Sequence, residues 1–210
     1  MKPVVLNLII ANVVAYFIEL QYFTPVIANF ALWPFGSFPS EEGIVVGFKP
    51  WQLLTYGFLH DPSNYAHIIL NLYALWAFGG EVEQTLGSKR FFWLYFVSVI
   101  VAGIAQLVTQ TMSLDGGGIG PTMGASGGVF GVLLAFAMLF PHRKLMLIFP
   151  PIPMKAWIMV SAYAAIELAN GVFRTNTGVA HFAHLGGALG GLIVMLSINY
   201  KRFRDTRYDY

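Results

Sequence analysis

The chain has 210 residues, of which 57% are hydrophobic and 10% charged, with a net charge of +2 and no cysteine. A soluble domain carries roughly 25% charged residues, so this composition excludes an ordinary water-facing surface and makes lipid the natural solvent. The missing cysteines exclude disulfides, thiolate metal sites and a cysteine nucleophile. The small net charge gives no reason to expect nucleic acid as a partner, and the length fits one domain over residues 1–210.

A membrane helix needs about 20 mostly apolar residues, and six segments qualify in chain order. The first, Val4–Phe23, reads as a retained helix rather than a signal peptide, since no A-x-A-like cleavage site follows it. A long connection from Leu32 to Ala66 comes next. Its second half, KPWQLLTYGFLH, sets Trp51, Leu54 and Phe58 at near-helical spacing and predicts a short interfacial helix. The second span is His67–Gly80 and the third Phe91–Met112. A glycine-rich stretch, Leu114–Gly128, then leads into the fourth span, Ser126–Phe140; such backbone is tolerated at membrane depth only when it is buried in protein or lines water. The fifth span is Ala156–Asn170 and the sixth Ala180–Tyr200. The second, fourth and fifth are short, which fits helices that stop where protein or an internal water cavity takes over.

With six spans both termini share a side. That side collects Lys2, Lys89, Arg90, Arg143, Lys144, Lys155, Lys201, Arg202, Arg204 and Arg207, against only Lys49 and Arg174 on the other. Lys and Arg concentrate on the cytoplasmic side of membrane proteins, so both termini are expected there.

Gly124-Ala125-Ser126-Gly127-Gly128 fits G-x-S-x-G, although no apolar strand precedes it as in soluble hydrolases. A serine at a helix N-terminus sits beside free N–H donors that suit an oxyanion; the competing reading is a helix cap with small-residue packing. His184 lies inside the sixth span, where ionisable residues are costly and functional by default. Ser126 stands 17 residues before Arg143, and His184 stands 17 before Lys201. At ~1.5 Å per residue, both sit about 25 Å above the basic side, so two parallel helices would bring them together for general-base activation. Gly187 and Gly191 on one helix and Gly127 and Gly131 on the other repeat at four, a spacing that permits close approach. His67 and Asn71 share a helix face at i, i+4 and offer hydrogen-bond donors for an oxyanion, or plain bonds between helices. No HExxH string exists, and the four aspartates lie outside the spans, so zinc and aspartyl chemistry are disfavoured. Glu167, well inside the fifth span, could orient a histidine as a triad acid or face a polar interior, and it is not assigned a catalytic role.

These motifs resemble the rhomboid intramembrane serine proteases: HIILN at His67–Asn71, GGEVEQTLGS at Gly79–Ser88, GASGG around Ser126 and AHLGGALGG from Ala183 fall in that family's order over about Trp51–Gly191. The resemblance implies an all-α, polytopic, six-transmembrane-helix bundle with Ser126 as nucleophile and His184 as base, acting as a dyad. It implies His67 and Asn71 as oxyanion donors, Phe130 as an aromatic stacked on the histidine, and Gly187 and Gly191 as close-packing glycines. It also implies Glu83 as a buried acid that ties the cytoplasmic helix ends together. Three departures from the resembling family stand out. Trp51-Gln52 replaces the Trp-Arg of many members, Phe130 lacks the hydroxyl of the tyrosine in several, and His181 replaces the asparagine of some, as a candidate for polarising the oxyanion or the water or for filling space.

The expected activity is therefore cleavage of transmembrane protein substrates near their outer end within the bilayer, with no metal or organic cofactor and no nucleic-acid partner. Compactness suggests a bacterial inner membrane. The alternative is a rhomboid-like protein without catalysis that binds or escorts membrane segments; a small transporter would show repeated halves, and none are found.

Overall fold

The computed structural model describes residues 2–39, 43–112, 120–146, 152–173 and 180–203. Residues 114–119 of the glycine-rich stretch, and Arg174, Arg204 and Arg207 of the charge count, lie outside the described residues. Helix α1 is Pro3–Gln21, with the proline at its first turn, where its missing N–H costs nothing. The chain breaks at Tyr22 and resumes as α2, Phe23–Phe30. The long connection then forms a small antiparallel ladder of β1, Phe38–Pro39, with β2, Val45–Val46, and a short helix α3, Gln52–Thr55, that tightens into a 3₁₀ turn over Tyr56–Phe58.

Helix α4, Tyr65–Ala74, passes without a break through a π-turn at Leu75–Gly79 into α5, Gly80–Leu86. The backbone stays helical at both junctions, so one path runs from Tyr65 to Leu86. At ~1.5 Å per residue it is long enough to cross a bilayer, and the shortness of the expected His67–Gly80 span disappears. Helices α6, Ser88–Met112, and α7, Ser126–Leu139, follow. A hairpin of β3, Lys144–Met146, on β4, Pro153–Lys155, then leads to α8, Ala156–Val172, and α9, His181–Ser197. Among the described residues α1 and α6 are single uninterrupted α-helices long and apolar enough to cross a membrane, while α7, α8 and α9 are shorter apolar helices.

Helices α6, α7 and α9 pack most intimately, and glycine is the reason. A Cβ built on Gly187 would lie 2.0 Å from the Gly127 carbonyl oxygen, and one on Gly191 would lie 2.7 Å from that of Gly131. The other face of α9 does the same against α6: a Cβ on Gly190 would be 2.7 Å from the Ser98 Cα. Small residues let membrane helices approach backbone to backbone, and here one helix does so on two sides. Apolar side chains elsewhere on these helices point outward: Leu189, Ile193 and Leu196 of α9 and Phe17 of α1 are about half exposed or more. That surface calls for lipid.

The end of the bundle where α7 and α9 finish is basic and tied together. Both Glu83 carboxylate oxygens take part: Val4 N–H donates to Oε1 at 3.1 Å and Val5 N–H to Oε2 at 2.9 Å, while Ser88 Oγ donates to Oε1 at 2.7 Å. Glu83 is buried, and it satisfies two N-terminal donors of α1 that would otherwise be orphaned. Arg143 pairs with Glu81 at 3.2 Å, and Arg90 stacks over Phe203.

Candidate active site

Ser126 is the first residue of α7, at the end of the bundle away from the basic residues. The turn before it depends on Gly124, whose φ of +139° is a conformation L side chains rarely adopt. Gly124 N–H donates to the Tyr56 carbonyl at 3.0 Å, so the 3₁₀ turn after α3 fixes the elbow. Space also demands glycine there. A Cβ on Gly124 would sit 2.8 Å from His67 Nε2 and 3.6 Å from Ser126 Oγ. The same measurement shows that the His67 ring reaches over the elbow towards the serine.

His184 lies one turn into α9 and places Nε2 2.8 Å from Ser126 Oγ. Its ring stacks on Phe130 with centroids 4.3 Å apart and planes 9° from parallel. Gly127 directly follows Ser126, and Gly187 stands three residues after His184, so the backbone contact between these glycines sets the serine–histidine distance. Ser126 is half-buried and therefore reachable. On the far side of the ring, Glu167 of α8 brings Oε1 to 3.1 Å from His184 Nδ1. The approach is bent, a charge contact rather than a well-aligned hydrogen bond. The other oxygen of Glu167, Oε2, meets His181 Nδ1 at 2.6 Å. His181 is thus turned to Glu167 through Nδ1.

Asn71 is buried on the α4 face it shares with His67, and its Nδ2 donates to the His67 backbone carbonyl at 2.8 Å. An amide carries two donor hydrogens, so one remains for another acceptor. Next to His67, edge to face at 5.0 Å, lies the fully buried ring of His60. Burial pushes His60 down to about 3, and the neighbouring His67 adds to the shift. The Phe58 backbone acts in the opposite direction, and neither ring nitrogen has a well-formed hydrogen bond. The His60 backbone N–H donates to both oxygens of Glu19, a buried carboxylate of α1, at 3.1 and 3.0 Å.

The sequence-predicted residues therefore fall into three groups. Ser126, His184, His67 and Phe130 converge at one end, with Asn71 beneath His67 and His181 joined to His184 through Glu167. Gly187 and Gly191 form the contact between α7 and α9. Glu83 sits at the opposite, basic end. Sequence reasoning missed Glu19, although a carboxylate in an apolar helix is a visible signal. It singled out Gln52 as a departure but not its role: Gln52 is fully buried and staples the long connection. The Gln52 Oε1 accepts the Lys49 N–H at 3.0 Å and the Trp33 N–H at 3.4 Å, and Nε2 donates to the Asn29 carbonyl at 3.3 Å. A neutral amide, both donor and acceptor, holds this loop where many members of the resembling family have an arginine.

A helical bundle with an apolar surface and a serine–histidine pair sunk between its helices defines an integral, polytopic membrane protein. A family model described as Rhomboid domain matches residues 47–201, and the chain belongs to the rhomboid family. Rhomboid protein 1, mitochondrial, of Saccharomyces cerevisiae is 37% identical over 131 residues, which cover 62% of this chain and 37% of the yeast protein. Presenilin-associated rhomboid-like protein A, mitochondrial, of Danio rerio is 33% identical over 133 residues, 62% of this chain and 34% of the relative. Rhomboid protease GluP of Bacillus subtilis is 27% identical over 164 residues, 78% of this chain and 29% of the relative. The chain spans about a third of the length of these relatives. Because the two with higher identity carry mitochondrial names, the expected bacterial inner membrane gives way to the broader statement that this is an integral membrane protein.

Proposed function

We propose that this chain is an intramembrane serine endopeptidase that cleaves transmembrane segments of other membrane proteins near their outer end. Ser126 Oγ attacks the scissile carbonyl, and His184 Nε2 takes its proton and then delivers it to the leaving amine. The tetrahedral oxyanion is held by the Ser126 N–H together with His67 and one amide hydrogen of Asn71. Water entering from the outer side hydrolyses the acyl-enzyme, with the same histidine as base. Six spans with both termini on the basic, cytoplasmic side belong to this reading. The observation that carries it is the 2.8 Å contact between Ser126 Oγ and His184 Nε2, with the ring fixed on Phe130. A neutral serine hydroxyl is a weak nucleophile until a base stands within hydrogen-bond reach, and a packing role for either residue would not need that pairing.

The test uses the purified full chain in detergent, a fluorophosphonate probe and a single-span model substrate. The wild type is expected to label and to cleave. S126A and H184A are each expected to lose cleavage by at least about 10³-fold while keeping a normal thermal transition, and S126A is expected to lose labelling. Turnover near wild type in either folded variant would overturn the assignment.

A further inference from the structure

Glu167 is a buried carboxylate that the dyad reading leaves without a task. Each of its oxygens faces one imidazole: Oε2 lies 2.6 Å from His181 Nδ1, and Oε1 lies 3.1 Å from His184 Nδ1. It comes from α8, a helix that contributes nothing else to the serine–histidine pair. A carboxylate in a membrane helix demands a reason, and simple satisfaction needs one good donor, which His181 supplies. The second oxygen sits on the one ring nitrogen of His184 that the serine does not use.

We propose that Glu167 is a positioning residue for the reaction: held by His181, it keeps His184 in the tautomer that carries its proton on Nδ1 and leaves Nε2 bare to accept the Ser126 proton. The proposal rests on the protease reading above. When Ser126 attacks, its hydroxyl proton passes to Nε2 and the imidazolium keeps its Nδ1 proton. The carboxylate accepts a hydrogen bond from Nδ1–H and stays ionised throughout. The contact is bent in the resting enzyme and straightens as the imidazolium forms, since catalytic hydrogen bonds commonly tighten only in the reacting complex. His181 is then the anchor. Its short bond to Oε2 fixes the carboxylate plane, so that Oε1 is presented to His184 rather than turned into the bundle. This adds a third and a fourth member to the pair: His181, Glu167, His184 and Ser126 in a line, drawn from three helices.

The experiment uses the purified full chain, with E167Q, E167D, H181A and H181N as variants. Turnover is measured on the single-span substrate, thermal stability by unfolding, and the His184 tautomer by ¹⁵N NMR of imidazole-labelled protein, with the His184 signal assigned by its loss in H184A. E167Q is expected to lower kcat on the order of 10²-fold or more, with KM within about twofold. Its His184 signal is expected to move from the Nδ1–H form towards a mixture with the Nε2–H form. E167D is expected to recover part of the rate. H181A should fall about tenfold, and H181N should regain most of that, because an asparagine Nδ2 donates from nearly the place of Nδ1. If the wild type cleaves and labels but E167Q keeps its kcat and its tautomer, this inference fails and the protease reading stands. A fall in kcat that tracks a lower melting temperature, with the tautomer unchanged, also overturns it, since it marks a structural role alone. If the wild type neither cleaves nor labels, the protease reading itself fails, and the wild-type tautomer still decides whether Glu167 orients His184. Should E167Q fail to fold, E167D and the wild-type tautomer carry the same decision.

Discussion

His184 is held by three contacts of different kinds, and each fails differently. The Ser126 bond is chemistry, the Glu167 contact is charge, and the Phe130 stack is shape. An aromatic pair in this geometry contributes about 0.5–1.5 kcal/mol beyond buried area. Phe130→Ala is therefore expected to lower kcat/KM by roughly 2- to 10-fold while fluorophosphonate labelling of Ser126 persists. Loss of labelling would show that the ring does more than steady the base. His60 shows the opposite case, a histidine held neutral. Its folded value of about 3 lies below the ordinary 6.5 because burial opposes the charged form, with His67 nearby. The unfolded chain binds this proton below about 6.5 and the folded chain does not, so folding loses stability as pH falls through that window. The slope is about 1.4 kcal/mol per pH unit for one proton. His60→Phe is expected to unfold at a temperature that falls less steeply between pH 6 and 4 than that of wild type; identical slopes would refute it. Ser126 and His184 were legible in the sequence because each is followed by a basic residue at the same interval. Counted to the helix ends at Leu139 and Ser197 instead, each stands 13 residues up, about 20 Å. Glu167 was legible as a carboxylate in a span that could orient a histidine, but not as the shared neighbour of His181 and His184. It stands 11 residues above Ala156, about 17 Å, and a sequence does not say which face of α8 meets α9.

At the scale of elements, one rule explains most of the packing: helices touch where side chains vanish. Gly187→Val would place a branched side chain where a Cβ alone already lies 2.0 Å from the Gly127 oxygen. The α7–α9 crossing must widen, and with it the serine–histidine distance, so turnover is expected to fall about 100-fold with a destabilisation of roughly 1–3 kcal/mol. Gly80 is the control. It is helical, and a Cβ there meets nothing within 4 Å, so Gly80→Ala is expected to leave activity intact and raise stability by about 0.5–1 kcal/mol. Equal effects at both sites would remove close packing as the explanation. Glu83→Ala acts far from the chemistry. It leaves two N-terminal donors of α1 and the Ser88 hydroxyl without their acceptor, and is expected to cost about 2–3 kcal/mol while the folded fraction turns over normally. A loss of turnover at full stability would mean that the basic end communicates with the site. Glycine spacing was readable in the sequence for the α7 face of α9, because Gly187 and Gly191 repeat at four. The α6 face, through Gly186 and Gly190, hid in the same run of letters. The π-turn at Leu75–Gly79 was invisible, since nothing in LWAFG breaks a helix; a span expected to end at Gly80 continues to Leu86.

The whole molecule sets the depth at which the pair works. The elbow before Ser126 is fixed by Tyr56, and Leu32 pairs with Thr122 through mutual backbone bonds of 2.8 and 2.9 Å. The long connection is thereby tied to the chain just before the serine. The outward faces of Trp51 and Leu54 are half exposed, whereas Gln52 and Tyr56 of the same turn are buried. On the proposed topology such a turn lies flat at an interface rather than across it, which would set the serine a short way beneath the outer surface; along its helix it stands about 20 Å from the basic end. On the proposed protease function, a substrate reaching it from the bilayer arrives as a helix. Its scissile carbonyl is then bonded within its own backbone, while a serine nucleophile needs the carbonyl extended and free. Local unwinding must precede attack. Glycine or proline just beyond the cut lowers that cost, since each disfavours helix by about 1–3 kcal/mol relative to alanine. A single-span substrate with alanine before the cut and glycines after it is expected to be cleaved near its outer end. Replacing those glycines by leucine is expected to cut the rate by about tenfold or more, because about 1.4 kcal/mol per decade is less than two such replacements restore to the helix. Mass spectrometry of the products locates the bond. Equal cleavage of the leucine version would mean that unwinding does not limit the reaction, and a cut at the basic end would contradict the depth of Ser126.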